Sequence, residues 1–316
     1  MTKTQLFRRM AVIAIGGAVV ACGMIAGIDD FRLGECKGGK CERDAEPEPV
    51  PQDDNDATVP VADTGVPCVG KSNPPAIRVG TPPSTFCIDT NEVSNGDYKK
   101  FLEDKVDINT QPALCLPWNQ SFAPARPGVD LDAGAEAQAP VIPDNLPVTD
   151  VDWCDAYAYC KWAGKYLCAA VDDAGKRAGP VNDESLSNFK ANQWLLACSA
   201  EARLRYPYGG TFDGTRCNVA NLGEGGVVPV SSLPGCIGGY EGLHDMVGNA
   251  WEWFDGPCAT DGGLKPDAAE GAQGDSCILK GASFLDNGVE FDCAYNQTRV
   301  RRDFHGRNVG FRCCSD

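Results

Sequence analysis

Histidine and paired-thiol motifs are scarce in this chain. The 316 residues include only two histidines, His244 and His305, and no Cys-x-x-C sequence occurs. A zinc site of the Cys/His type is therefore not expected, because it needs several such ligands at close spacing. A Ser-His-Asp hydrolase would require one of the two histidines, and neither lies in a recognisable hydrolase motif.

Basic residues are also few relative to acidic ones. The chain has 28 Lys and Arg against 44 Asp and Glu, for a net charge of −16. Binding to nucleic acid needs clustered basic side chains that neutralise phosphates, so we expect no nucleic-acid partner. An acidic chain suits calcium binding, and it equally serves colloidal solubility.

The apolar run Met10–Ala21 is too short to span a bilayer comfortably. It follows the basic residues Lys3, Arg8 and Arg9, and this order is typical of a cleaved signal peptide. We therefore assign residues 1–21 to a signal peptide.

The signal ends in Val-Val-Ala-Cys at positions 19–22, which resembles a bacterial lipobox. Cleavage before Cys22 and acylation of that residue would anchor the chain to a membrane, since each buried methylene contributes about 0.8 kcal/mol. A coincidental cysteine after an ordinary signal peptide is the alternative. The expected location is the bacterial cell envelope, with the outer membrane favoured because Gly23 is not the Asp that retains many lipoproteins at the inner membrane.

Cysteine, in contrast, is abundant. The chain has seventeen, and removing Cys22 leaves an even number, as a fully paired disulfide framework requires. Such usage indicates an oxidising compartment.

Two parts of the mature chain differ in composition. Residues 22–66 are acidic, rich in Pro and poor in large apolar side chains, which predicts a disordered tether. Residues 67–316 alternate short apolar runs with Gly, Pro and Asn turns, as expected for one large domain. Helices are predicted after the caps Ser94 and Asp152, the second with a capping-box-like Asp155, and over 188–200.

Five blocks in order along the chain resemble the formylglycine-generating enzyme (sulfatase-modifying factor) family. They are FCIDTNEVSN at 86–95, PVTDVDW at 147–153 with AYCKWAGK at 158–165, YPYG at 206–209, GLHDMVGNAWEW at 242–253 and GFRC at 310–313. The resemblance implies an α+β, C-type-lectin-like fold that is loop-rich and stapled by disulfides.

The segment that follows Ser283 departs from the family. Family members with oxidase activity place two copper-binding cysteines shortly after a Gly-Gly-Ser motif. Here the motif is Gly281-Ala282-Ser283, and the following residues 285–292 read LDNGVEFD. Cu(I) needs a pair of soft thiolates, so copper is not expected and no catalytic residue is assigned.

The resemblance implies two structural disulfides, Cys160–Cys313 and Cys198–Cys293, so Cys293 would not be a copper ligand. The remaining cysteines are paired mostly by proximity in sequence, as Cys36–Cys41, Cys68–Cys87, Cys115–Cys154, Cys168–Cys314, Cys217–Cys236 and Cys258–Cys277.

The resemblance also implies a calcium-binding site. In the family, positions matching Asp245 and Glu252 bind calcium through side chains, and those matching Gly248 and Ala250 through carbonyls. Calcium prefers six to eight such oxygens. Two solvated carboxylates on a surface turn are the alternative. A second family site, to which Asn218 would contribute, has a shortened loop.

Ser283 and Arg299 match positions that help hold substrate in the enzymes, and Trp251 could line the same groove. A core role for Trp251 is the more common one for such aromatics. We therefore expect at most a remnant of a groove.

These features favour a membrane-anchored, non-catalytic binding or structural protein whose partner is an unknown envelope protein or peptide. A formylglycine-generating oxidase acting on a sulfatase cysteine is the alternative. An iron-dependent sulfoxide synthase on the same fold would need a histidine-rich centre, and two histidines do not provide one.

Overall fold

The computed structural model describes residues 67–125, 142–259 and 275–316, apart from positions 69 and 72. Within these ranges, no helix has the length and apolar character needed to cross a bilayer.

The chain divides into two compact units, Met1–Phe31 and Arg32–Asp316, and every described residue belongs to the second. The expected signal peptide, Cys22, the tether 22–66 and the Cys36–Cys41 pair lie outside the described residues.

The main sheet joins the two ends of the domain. An antiparallel hairpin of β1 (Ala76–Thr81) and β2 (Ser84–Asp89) turns at Pro82-Pro83. The last strand, β11 (Cys313–Ser315), lies between β2 and β3 (Tyr166–Leu167). This order places the closing GFRC block beside the opening block of the domain.

The other strands are short and form three small sheets. A parallel pair is formed by β6 (Trp251–Trp253) and β10 (Val309–Phe311), with all six residues buried. The remaining strands are β4 (Ala170–Val171) with β5 (Arg177–Gly179), and β7 (Cys258–Ala259) with β8 (Ser276–Ile278) and β9 (Arg299–Arg301).

Two helices begin at the predicted caps. Helix α1 (Asn95–Glu103) starts after Ser94, whose side chain accepts a hydrogen bond from Asp97 N. Helix α2 (Trp153–Trp162) starts after Asp152, with the full capping box to Asp155. These side chains satisfy backbone N–H groups that have no partner within the helix.

The other helices differ from the prediction. A short α3 (Asp183–Leu186) falls in a segment for which the sequence predicted no helix. Helix α4 spans Gln193–Ser199 rather than 188–200. It starts late because Asn188 Oδ1 accepts the Lys190 N–H in a local turn, a bond that competes with helix formation.

Seven disulfides join the described part of the chain, and each is one of the predicted pairs. They are Cys68–Cys87, Cys115–Cys154, Cys160–Cys313, Cys168–Cys314, Cys198–Cys293, Cys217–Cys236 and Cys258–Cys277. Each typically stabilises a fold by about 2–4 kcal/mol. This contribution matters in a domain with so little regular secondary structure.

Two main apolar clusters fill the interior. One surrounds α1, α2 and the β6–β10 pair, and an aromatic group of Tyr98, Phe101, Tyr159 and Phe311 lies at its centre. The other surrounds α4 and the hairpin. The helical spacing of Tyr98, Phe101 and Leu102 predicts one buried face on α1. The structure buries Tyr98 and Phe101, but this prediction is wrong for Leu102, whose side chain is exposed at the helix surface.

Candidate functional site

The segment that would carry the family's chemistry has a constrained backbone. Lys280 pairs with Glu252 through both backbone hydrogen bonds. A Cβ at Gly281, where φ is +96°, would approach the Met246 carbonyl oxygen to 2.9 Å. Ala282 follows with φ of +60°, in the left-handed region that favours glycine. The backbone therefore holds Ala282 in a conformation that an alanine rarely adopts.

Ser283 is fully buried and held by hydrogen bonds. Its Oγ donates to Asp286 Oδ2 at 2.5 Å and accepts from Asn308 Nδ2 at 3.1 Å. The Ser283 N–H also donates to Asp286 Oδ2, and the Trp251 side chain donates a further hydrogen bond to this carboxylate. Burial raises the pKa of Asp286 above its usual value, while these donors oppose the rise.

The expected groove does not lie open at Ser283 and Trp251. Trp251 is only 1 % exposed and packs edge-on against Phe291 and near Tyr295. These two rings come from the segment after Ser283, which folds back over the tryptophan. Trp251 is therefore a core residue, and Ser283 is not positioned at a surface.

Arg299 lies apart from this network. It pairs with Ile278 in the β8–β9 ladder, and its electrostatic neighbour is Asp183. Neither residue belongs to the Ser283 network. The structure thus brings Ser283 and Trp251 together through Asp286, and leaves Arg299 outside.

No thiol is available around Ser283 in the described part of the chain. All fourteen cysteines there are in disulfides. Cys293, the next cysteine after Ser283, is bonded to Cys198 of α4. The Ser283 segment therefore offers a carboxylate and aromatic rings where a copper site would need thiolates.

A second buried centre forms around Glu252, at the middle of β6. Arg312 donates to its carboxylate from Nε at 2.9 Å to each oxygen and from Nη2 at 2.7 Å. Trp194 Nε1 of α4 adds a bond of 2.7 Å. Both charged side chains are fully buried. Ionic hydrogen bonds of this kind offset the cost of removing two charges from water.

Arg312 also binds the backbone around this centre. Its Nη2 donates to the carbonyl oxygens of His244 and Asp245, and its Nη1 donates to that of Asp89. Arg312 therefore ties the opening block, the 242–253 block and β6 together.

Two further carboxylates lie near this ion pair. Glu92 accepts from Asn249 Nδ2 and from Ala250 N, and Asp245 accepts from Ser231 N. Burial raises the pKa of Asp245 to about 6. Burial and the neighbouring charges of Asp245 and Glu252 raise the pKa of Glu92 well above its usual value. The buried carboxylates of Glu92, Asp245 and Glu252 thus lie in the field of one guanidinium, that of Arg312.

Asp245 and Glu252, the two side chains predicted to bind calcium, belong to this centre, and Ala250 adjoins it through the bond from its N–H to Glu92. Asp245 and Glu252 are 2 % and 0 % exposed, so the alternative of two solvated surface carboxylates is wrong. Gly248 lies tightly against the backbone of Asn218, whose Oδ1 is buried without a hydrogen-bond partner in the described structure. Hard oxygen donors, excess negative charge and an unpaired buried oxygen fit calcium.

The sequence did not reveal three important residues. Glu92 and Arg312 lie inside the quoted blocks, and the sequence signal that they work together is their opposite charge. Asp286 lies outside every block. Its role depends on the close approach of Trp251 and Asn308, which the sequence does not show.

Comparison with known proteins places these features in a family. The family model described as "Sulfatase-modifying factor enzyme 1-like domain" matches residues 38–316. The chain is 30 % identical over 274 residues to "Inactive C-alpha-formylglycine-generating enzyme 2" of Bos taurus, covering 73 % of this chain and 77 % of that protein. It is 27 % identical over 296 residues to the "Formylglycine-generating enzyme" of the same organism, covering 77 % and 68 %.

Among solved structures, PvdO from Pseudomonas aeruginosa covers 76 % of this chain and 91 % of its own, with 18 % identity and a TM-score of 0.46. The extent of the family match and the 30 % identity to a relative decide the assignment. The chain belongs to the sulfatase-modifying factor family, which includes the formylglycine-generating enzymes.

Proposed function

We propose that this protein is a non-catalytic member of its family that serves as a binding or structural domain. The observation that carries the proposal is the Ser283 segment. Its buried hydroxyl is bonded to Asp286 and Asn308, and the next cysteine along the chain is in a disulfide. The two thiolates that a Cu(I) oxidase centre requires have no counterpart there.

The kind of partner follows from the surface and the fold. The chain carries a net charge of −16, which opposes binding to nucleic acid. We expect an envelope protein or peptide as ligand, with the C-type-lectin-like α+β architecture as its scaffold. The domain's small sheets and long loops offer variable surface on a core fixed by disulfides.

Copper binding tests the proposal directly. The mature protein, unfolded without reductant, should react with no thiol reagent, and the folded protein should keep no Cu(I) against a bathocuproine competitor. Two reactive thiols per chain, together with one Cu(I) retained per chain, would favour the formylglycine-generating oxidase instead.

We also propose one structural calcium ion at the Glu252 centre. Asp245 and the carbonyls of Gly248 and Ala250 would bind it, with Glu252 sharing its carboxylate between the ion and Arg312. A bound divalent cation would neutralise the excess charge of the buried carboxylates, and its role would be to hold the 242–253 block in place.

We place the protein in the bacterial cell envelope, lipid-anchored through Cys22, with the outer membrane favoured. The lipobox-like sequence at 19–22 supports this. The change Cys22→Ser should release the protein from the membrane fraction, because no acyl chain can be attached. Immunoblots after carbonate and high-salt washes measure it. A mutant that sediments with membranes as wild type does would refute the anchor.

A further inference from the structure

A histidine and two carboxylates meet at the start of α2, in a cluster separate from the Glu252 centre. Asp152 is the N-cap of the helix and Asp155 is its third residue. His305 reaches them from the segment after β9. Its Nε2 lies 3.7 Å from Asp152 Oδ2 and 3.9 Å from Asp155 Oδ2. One ligand atom from each of the three residues lies within 4.8 Å of the others.

Hydrogen bonds hold the two carboxylates in place. Asp152 Oδ1 accepts the Asp155 N–H at 2.8 Å. Asp155 Oδ1 accepts from Asn119 Nδ2 at 2.9 Å, and its Oδ2 accepts the Asp152 N–H at 3.2 Å. The His305 ring donates to the backbone carbonyl of Asp303. Partners of this kind orient metal ligands in known metal sites.

The distances suit a bridging ion better than a direct hydrogen bond. Hydrogen bonds join heavy atoms about 2.7–3.2 Å apart, and both contacts of His305 exceed this. Ligand atoms about 2.0–2.1 Å from a metal ion are separated from each other by about 3.3–4.2 Å, depending on the coordination angle. The separations of 3.7 and 3.9 Å fall in this range.

The charges around the cluster leave it without a full counter-ion. Asp152 and Asp155 are 1 % and 0 % exposed, so both carboxylates lie away from mobile counter-ions in solvent. Arg302, the neighbouring guanidinium, stacks on Trp153 and pairs with Asp275 at 3.6 Å.

We propose that Asp152, Asp155 and His305 form a binding site for a divalent transition metal, with zinc as the first choice. One imidazole nitrogen and two carboxylate oxygens are a donor set that zinc accepts. Three protein ligands leave a fourth position for water or a ligand group. The side chain of His305 is 32 % exposed, which gives this position access to solvent. The site differs from a Cys/His zinc site because carboxylates take the place of the cysteines. The same two carboxylates also cap helix α2.

Zinc titration by calorimetry tests the site in the mature full-length protein. The protein is first treated with EDTA and iodoacetamide, then saturated with calcium so that the Glu252 centre does not compete. Wild type should bind one zinc ion. Visible absorption of the cobalt-substituted protein should show d–d bands of a nitrogen–oxygen site without thiolate charge transfer.

Three variants locate the zinc ion. His305→Ala removes the nitrogen ligand from a partly exposed position and should weaken zinc binding by at least about tenfold. Asp152→Asn keeps an oxygen that caps the helix and should weaken binding by a similar factor. His244→Ala, which removes the chain's other histidine, should bind zinc as wild type does.

Two outcomes would overturn the proposal. One is wild-type protein that takes up no zinc. The other is equal affinity in wild type, His305→Ala and Asp152→Asn, which would place any bound zinc elsewhere on the acidic surface.

Discussion

Glu252 and Asp286 are carboxylates in the same interior, and each accepts a hydrogen bond from a tryptophan. They differ in what else they contact. Glu252 is fully buried and paired with the guanidinium of Arg312. Asp286 is only partly buried, and the hydroxyl and N–H of Ser283 also donate to its carboxylate.

On the proposed function, this difference separates the contacts that hold the scaffold from those that stand in for a reaction centre. The Glu252–Arg312 pair joins blocks that are far apart in the chain, so removing one partner leaves a buried charge unpaired. Asp286 bonds to the neighbouring Ser283 and to the Trp251 side chain, in the segment where the family resemblance would place the oxidase thiolates. If the protein is non-catalytic as we propose, scaffold and reaction centre are separable within one fold.

Truncating the two carboxylates sharpens this comparison. We expect Glu252→Ala to lower the free energy of unfolding by about 3–5 kcal/mol, because Arg312 stays buried without its partner. Asp286→Ala should cost about 1–3 kcal/mol, since it removes hydrogen bonds from uncharged donors at a partly buried position. Urea denaturation followed by tryptophan fluorescence measures both.

Glu241→Ala, at an exposed position, is the matched control and should have little effect. Equal losses for Glu252→Ala and Asp286→Ala would show that the Ser283 segment is as structural as the ion pair. The separation of scaffold from reaction centre would then fail.

Calcium binding should change the free energy of unfolding by less than Glu252→Ala does. At a hundredfold excess over Kd, a ligand that binds only the folded state adds about 2.7 kcal/mol. Asp245→Asn should remove most of this increment and leave the Glu252–Arg312 pair intact, whereas Glu252→Ala would confound binding with unfolding. Melting temperatures of EDTA-treated protein, with and without millimolar calcium, measure it. Asp173→Asn, at an exposed position, should keep the full increment.

The calcium increment should also depend on pH. The pKa of Asp245 is raised to about 6, so the calcium-free folded state is favoured by protonation and loses stability as pH rises through that value. Calcium replaces the proton, and its stabilising effect should therefore grow from about pH 5 to about pH 7.5. An increment that is the same at both pH values would argue against Asp245 as a ligand.

Much of the framework could be predicted because it depends on local or motif-level signals. The caps Ser94 and Asp152 act on neighbouring backbone groups, so short sequence patterns indicate them. Most disulfides of the described residues followed from the family motifs and from sequence proximity.

The interior chemistry could not be predicted in the same way. The contact between Glu252 and Arg312 spans 60 residues, and that between Glu92 and Ala250 spans 158. The β2–β11–β3 sheet and the β6–β10 pair help to bring such groups together. The burial of Ser283 also depends on tertiary packing, because Phe291 and Tyr295 fold back onto Trp251.

The most direct test of the account is an assay for formylglycine formation. The mature protein is incubated with a Cys-x-Pro-x-Arg peptide, oxygen, reductant and added copper, and the peptide is analysed by mass spectrometry. Because the Ser283 segment presents Asp286 and aromatic rings in place of thiolates, the account predicts that the peptide cysteine stays unchanged. Conversion of that cysteine to the aldehyde, dependent on this protein and absent from a heat-denatured sample, would contradict it.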